Sequence, residues 1–84
     1  MFTVYAISSI TRKYRYIGLS SQPEVRIARH NKAQNKTTKP YAPFRLIHTK
    51  DFKTRIEARR YEKYLKSGMG REYLDALENS NRER

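Results

Sequence analysis

The stretch "YRYIGLSSQPEVRIARH", residues 14–30, decides how the chain is read. Its first half alternates aromatic and β-branched residues with polar ones, the signature of a strand, up to Gly18. Its second half is helical. Ser21 and Glu24 have capping-box spacing, and Pro23 sits in the first turn, where its missing N–H is not needed. The helix is expected to run to about Lys32, with Pro23, Ile27 and His30 on its inner face and Arg26 beside them. Arg26 and His30 are four residues apart, so a guanidinium and an imidazole share one helix face. A tyrosine-bearing strand thus feeds directly into a helix that presents two cationic or proton-handling groups.

Working outward, "FTVYAI" at 2–7 reads as a strand covered on both faces, with Phe2, Val4 and Ala6 alternating against Thr3, Tyr5 and Ile7. A four-residue turn over Ser9–Arg12 would pair Ser8 with Lys13, set Tyr5 opposite Tyr16, and set Thr3 opposite Gly18. The two tyrosines would then share one face of the hairpin, with Gly18 leaving space beside them. Residues 33–43, "AQNKTTKPYAP", form a polar, basic loop. "FRLIHT" is a third strand. Thr54 and Glu57 form a capping box that opens a helix over 55–67, and "SGMG" ends it with glycine. A short helix near "REYLDAL" follows, then the tail "ENSNRER", 78–84, which lacks core residues. The expected fold class is α+β, a three-stranded antiparallel sheet flanked by helices in the order β-β-α-β-α-α. One domain spans 1–78, and 79–84 is a frayed tail.

Charge is the strongest bulk feature of the 84 residues: 19 Lys+Arg against 8 Asp+Glu give +11. Residues 1–50 hold ten basic residues and one acidic residue, Glu24, a net of 10 − 1 = +9. Such a field attracts polyanions, nucleic acid first. The basic residues do not stand opposite a broad apolar helix face, which argues against a membrane surface. With no cysteine there is neither a disulfide framework nor a thiolate metal site. A reducing, cytoplasmic location is expected, and the N-terminus lacks the pattern of a secretory signal.

One residue breaks its pattern. In the helix at 55–67, Ala58, Tyr61 and Leu65 form the inward stripe, and Glu62 falls within it. A buried carboxylate needs a partner. That partner is either an arginine, Arg26 or another, or a hard cation. Two-metal phosphodiester chemistry needs several carboxylates, and the first fifty residues offer only Glu24, occupied as a cap. No His/Cys cluster has zinc spacing, and Ser20 and Ser21 lack triad partners. Tyr5, Tyr16, Arg26, His30 and Glu62 remain, a set suited to one-metal hydrolysis. Glu62 would hold the cation, Arg26 would pair with the phosphate, and a tyrosine would handle the proton of the attacking water. A free phenol titrates near ~10, so its phenolate depends on cationic neighbours. Tyr5 is the favoured base, with Tyr16 as its partner.

These residues carry a resemblance. "TVY" at 3–5, "YIG" at 16–18, Arg26, His30 and Glu62 resemble the GIY-YIG nuclease domain. Their spacings agree with it: eleven residues between the tyrosines, eight from Gly18 to Arg26, and four from Arg26 to His30. The likeness covers about residues 2–75 and is strongest to small stand-alone members, related to the nuclease domain of the bacterial excision-repair incision protein. Thr3 stands where the first motif has glycine, and Leu19 where repair-type members often carry lysine. The resemblance implies a metal-dependent endonuclease that hydrolyses DNA phosphodiester bonds. Tyr5, Tyr16, Arg26, His30 and Glu62 would be its catalytic residues, with one Mg²⁺ or Mn²⁺ on Glu62. The expected partner is DNA, including branched, nicked or flapped forms. Arg26, Arg29, Lys32, Lys36 and Lys39 would grip backbone phosphates with low sequence specificity. The alternatives are a catalytically weak or inactive nucleic-acid-binding module, or a structural basic protein on an acidic surface such as ribosomal RNA.

Overall fold

The structure, a computed structural model, describes residues 1–82. Strand β1 (Phe2–Ser9) is the centre of an antiparallel sheet of order β2-β1-β3, flanked by β2 (Arg15–Ser20) and β3 (Phe44–Phe52). Helix α1 (Pro23–Asn31) follows β2, and helices α2 (Arg55–Lys66) and α3 (Gly68–Arg82) follow β3. This is the expected α+β arrangement. Because β1 is central, its alternation fills two cores. Val4 and Ala6 pack with Ala58, Leu65 and Leu74 under α2 and α3. Tyr5 and Ile7 pack with Phe44, Tyr16 and Ile27 on the α1 side.

The hairpin register differs from the expected one. Ser8 pairs with Arg15, Tyr5 with Gly18, and Thr3 with Ser20. The Ser9 N–H bonds the Tyr14 carbonyl at 2.8 Å, so the tip is Ile10–Lys13. Ser9 also accepts from the N–H groups of Thr11 and Arg12, which fixes that wider tip. The shift is two residues, one full period of the pleat, so each side chain keeps its expected face. Tyr5 and Tyr16 still lie together.

The capping box at Ser21 is not formed. Gln22 is the N-cap of α1 and makes no side-chain cap bond. The chain entry is held instead by Ser20, whose Oγ accepts from the Gln22 N–H at 2.9 Å. Glu24 is therefore an exposed first-turn acid, favourable to the helix dipole but not tied up as a cap. The second box does form: the Thr54 Oγ accepts from the Glu57 N–H at 3.2 Å. The glycines of "SGMG" do not terminate α2. Ser67 separates the helices, and its hydroxyl accepts from the Gly70 N–H in the first turn of α3. Gly70 lets that turn touch the end of α2, where a Cβ would collide with the Leu65 and Tyr64 backbones.

Helix α3 is longer than the expected short helix, and it continues through residues 79–82 where a tail was expected. Residues 83–84 lie outside the described residues. The reason for the added length is Glu78, read from sequence as part of a tail without core residues. Its buried carboxylate accepts from Arg15 at 2.9 Å, from Arg45 at 2.9 Å and from Ser8 at 3.2 Å. Arg15 also reaches Asp75 at 2.7 Å. This network ties α3 to all three strands.

Burial alone would push the Glu78 carboxyl up, but bonds from Arg15, Arg45 and Ser8 outweigh it and hold it below its ordinary value. A depressed carboxyl contributes stability above about pH 4.5, and that contribution is lost as pH falls through the folded value. Glu78→Gln is therefore expected to cost about 1–3 kcal/mol at neutral pH and to flatten the acid limb of stability. Urea unfolding of both chains between pH 3 and 7 measures it.

Candidate active site

The site is assembled from the residues where β1, β2 and α1 meet. Tyr5 is fully buried, and its hydroxyl lies 3.1 Å from His30 Nε2. His30 is buried too, and its Nδ1 lies 2.8 Å from the Thr38 hydroxyl. The Tyr16 ring packs against the imidazole at 4.7 Å and against the Tyr5 ring at 6.3 Å, centroid to centroid. Gly18, opposite Tyr5, has no Cβ because the phenol lies there: a Cβ would collide with Tyr5 Cζ and Oη. Glycine is needed here for close approach, not for an unusual backbone angle.

The structure thus brings four of the five expected residues to one place. The charges acting on the Tyr5 hydroxyl include Tyr16, Arg26 and Glu62. Glu62 approaches from the other layer. It lines a cleft of about 380 Å³ with Tyr16, Lys66 and Arg71, along β2, an edge strand. The two cores therefore meet chemically at that edge. Glu62 does not pair with Arg26. Its carboxylate contacts Lys66 at 3.2 Å and Arg59 at 3.7 Å, both on its own helix.

Burial is the main influence on Tyr5 and raises its pKa above the ordinary value of 10.0; Tyr16 and Glu62 add to this, and Arg26 opposes it. This is opposite to the expectation that basic surroundings would favour its phenolate. Desolvation outweighs the charge field because the hydroxyl is sealed beneath the sheet surface. Tyr16 is only half-buried and opens on the Glu62 cleft. His30 is pushed below its ordinary value by burial, then by Arg26, so it is neutral at neutral pH. A neutral imidazole bridging two hydroxyls donates with one nitrogen and accepts with the other.

Of the expected phosphate-gripping residues, Arg26 and Arg29 line a second cleft of about 210 Å³ beside His30. Lys32, Lys36 and Lys39 are exposed on the following loop and line neither cleft. That loop is pinned to the fold. Thr38 is fully buried against His30, and Tyr41 stacks on Tyr14 at 3.8 Å with planes 8° apart. Thr38 had no signal in the sequence, since a threonine in a polar loop is ordinary. Thr3, in place of the motif glycine, donates to Asp51 on β3 at 2.6 Å.

The donor set suits a hard cation. Among the described residues no three His, Cys, Asp or Glu side chains cluster as metal ligands. A single carboxylate facing a cleft fits Mg²⁺ or Mn²⁺ retaining most of its waters. Lys66 and Arg59 are more than half exposed, so their pairs with Glu62 are weak and easily displaced.

Comparison with known proteins identifies the family and the fold. The GIY-YIG catalytic domain model matches residues 1–73. A similar fold is the solution NMR structure of the UPF0213 protein BH0048 from Bacillus halodurans. It is 31% identical, covers 92% of this chain and 85% of that one, and has a TM-score of 0.54. No curated protein matches the sequence. The chain belongs to the GIY-YIG nuclease family. No helix among the described residues is long and apolar enough to cross a membrane.

Two outcomes follow from the packing. Gly18→Ala is expected to cost about 1–3 kcal/mol, because the Tyr5 ring has to move; thermal unfolding reads it. His30 is expected to titrate below about 6.5 in an NMR pH series. Because the folded chain disfavours the imidazolium, the unfolded chain binds protons more readily as pH falls through about 6.5. His30 therefore subtracts stability below that pH and not above it.

Proposed function

We propose that the protein is a metal-dependent endonuclease that hydrolyses DNA phosphodiester bonds with low sequence specificity. The observation that carries the reading is that Tyr16 and Glu62 line one cleft, backed by the Tyr5–His30 pair and Arg26. Glu62 would hold one Mg²⁺ or Mn²⁺, which supplies positive charge to the phosphate oxygens and acidifies bound water. Arg26 pairs with a non-bridging oxygen and stabilises charge developing in the transition state. Tyr16, reacting as its phenolate, takes the proton as the water oxygen bonds to phosphorus, and returns it to solvent before the next turnover. The bond to the leaving oxygen breaks, and that oxygen is protonated from solvent. Tyr5 and His30 act as a neutral, hydrogen-bonded support that fixes Tyr16 in place. Substitution of Tyr16 for Tyr5 as base rests on exposure: a fully buried phenol with a raised pKa is poorly placed to accept a proton from water.

Arg26, Arg29, Lys32, Lys36 and Lys39 contribute phosphate contacts on the α1 side, which gives a grip without base readout. Nicked, branched or flapped DNA in repair, in the cytoplasm, is the setting we assign.

Plasmid nicking with Mg²⁺ or Mn²⁺, and with EDTA, tests the assignment. EDTA is expected to abolish cleavage. Glu62→Ala and Tyr16→Phe are each expected to lower the rate about 100-fold or more, and Tyr5→Phe to lower it less. Equal activity in Glu62→Ala and wild type would remove the metal assignment. Salt-sensitive binding without cleavage in any metal would identify a binding module instead.

A further inference from the structure

The Glu62 cleft does not end at Tyr16. A larger cleft of about 1010 Å³ lies between the β1–β2 hairpin tip and α3. The two share Tyr14, Arg15 and Arg71, so they form one continuous trough along the open edge of β2. The trough runs from the site toward the hairpin tip, where Tyr14 meets Tyr41 of the basic loop.

Its charges fall into two groups. Arg15, Asp75 and Glu78 neutralise one another along the α3 wall, with Arg45 completing the network. Arg12, Lys13 and Arg71 line the same trough, are exposed, and make no ion pair among the described residues. The lining thus carries free positive charge over a satisfied base. It also carries an aromatic platform. Tyr14 lines both clefts, is braced by stacking on Tyr41, and has Arg12 5.9 Å from the Tyr41 ring. At the far end Ile10 is 62% exposed, an apolar side chain without a partner core.

Free cations along a groove with a rigid aromatic at its centre are the chemistry of a single-strand track: phosphates on the cations and bases on the rings. We propose that this trough holds a single-stranded nucleic acid segment running from the scissile phosphate. Arg71, Lys13 and Arg12 meet successive phosphates, and Tyr14 receives a base. The direction of the track rests on the proposed nuclease site at its near end; the binding itself does not.

Binding of a short fluorescein-labelled oligothymidylate, read by fluorescence anisotropy in EDTA, tests this without cleavage. The triple variant R12A/K13A/R71A is expected to weaken binding about tenfold or more and to lower the slope of log affinity against log salt by about 2, at ~0.7 per phosphate. K53A/R60A/K63A removes the same charge from exposed positions that line neither cleft and is expected to change affinity less than threefold. Equal weakening in both triples, or none in the first, overturns the proposal. So does a duplex of equal length that competes better than the single strand. All substituted residues are exposed, and unchanged thermal unfolding checks that the fold is kept. Cleavage assays on wild type separate the two readings: if wild type binds the oligonucleotide through Arg12, Lys13 and Arg71 and cleaves DNA in no metal, the track stands and the nuclease reading falls.

Discussion

The phenol of Tyr5 lying across Gly18 is the constraint on which the site depends. A central strand can bury a tyrosine only if the facing neighbour yields space, and Gly18 yields it by having no side chain. With the ring seated there, its hydroxyl reaches under the sheet to His30 on α1. That contact sets how α1 lies on the sheet, because His30 is the one buried residue of the helix. Arg26, one turn earlier, is then delivered to the same hydroxyl. Thr38 takes the remaining imidazole nitrogen and so pins the basic loop. A single missing methyl group thereby couples β1, β2, α1 and the loop.

The division of labour between the two tyrosines follows from their positions in the sheet. Tyr5 is on the central strand, covered on both sides, and desolvation keeps its proton in place. Tyr16 is on an edge strand, where water and a carboxylate from the opposite layer reach it. Two residues of identical chemistry are separated into a structural donor and an accessible phenol by strand order alone. Strand order is a property of the fold, so the choice between them was invisible in the motif.

Much of the rest was legible. Period-2 alternation in "FTVYAI" identified a doubly covered strand, and the spacing of Arg26 and His30 placed His30 on the inner face of α1 with Arg26 beside it. Glu62 stood out as a carboxylate in an apolar stripe, and it does stand at a cleft. What was lost is instructive. The hairpin register slipped by two because a turn's width is set by side-chain bonds such as those to Ser9, which a strand pattern does not encode. The two-residue slip cost nothing for the site, since the pleat repeats every two residues. Ser21 and Glu24 had the spacing of a capping box, but Gln22 took the cap position, one residue later, and its entry was secured from Ser20. Glu78 looked like tail because its partners, Arg15 and Arg45, are 63 and 33 residues away.

The acidic residues explain how a chain of +11 folds while keeping its field. Of eight acids, Glu78 and Asp75 brace α3 to the sheet, Asp51 accepts from Thr3, Glu57 closes a cap, and Glu62 faces the cleft. Most of these stand where the fold needs a bond, and none among the described residues pairs with Arg12, Lys13, Arg29 or Arg71. Self-repulsion among those cations destabilises the compact state, so they are tolerated only if dispersed on the surface. They gather instead in and around the Tyr16–Glu62 cleft: Arg71 lines it, Arg12 and Lys13 line the cleft that adjoins it, and Arg26 and Arg29 line the one beside His30. A polyanion laid across these clefts relieves that repulsion. Its negative charge is thereby drawn to the place where Glu62, paired among the described residues only with the exposed Lys66 and Arg59 of its own helix, lines the cleft.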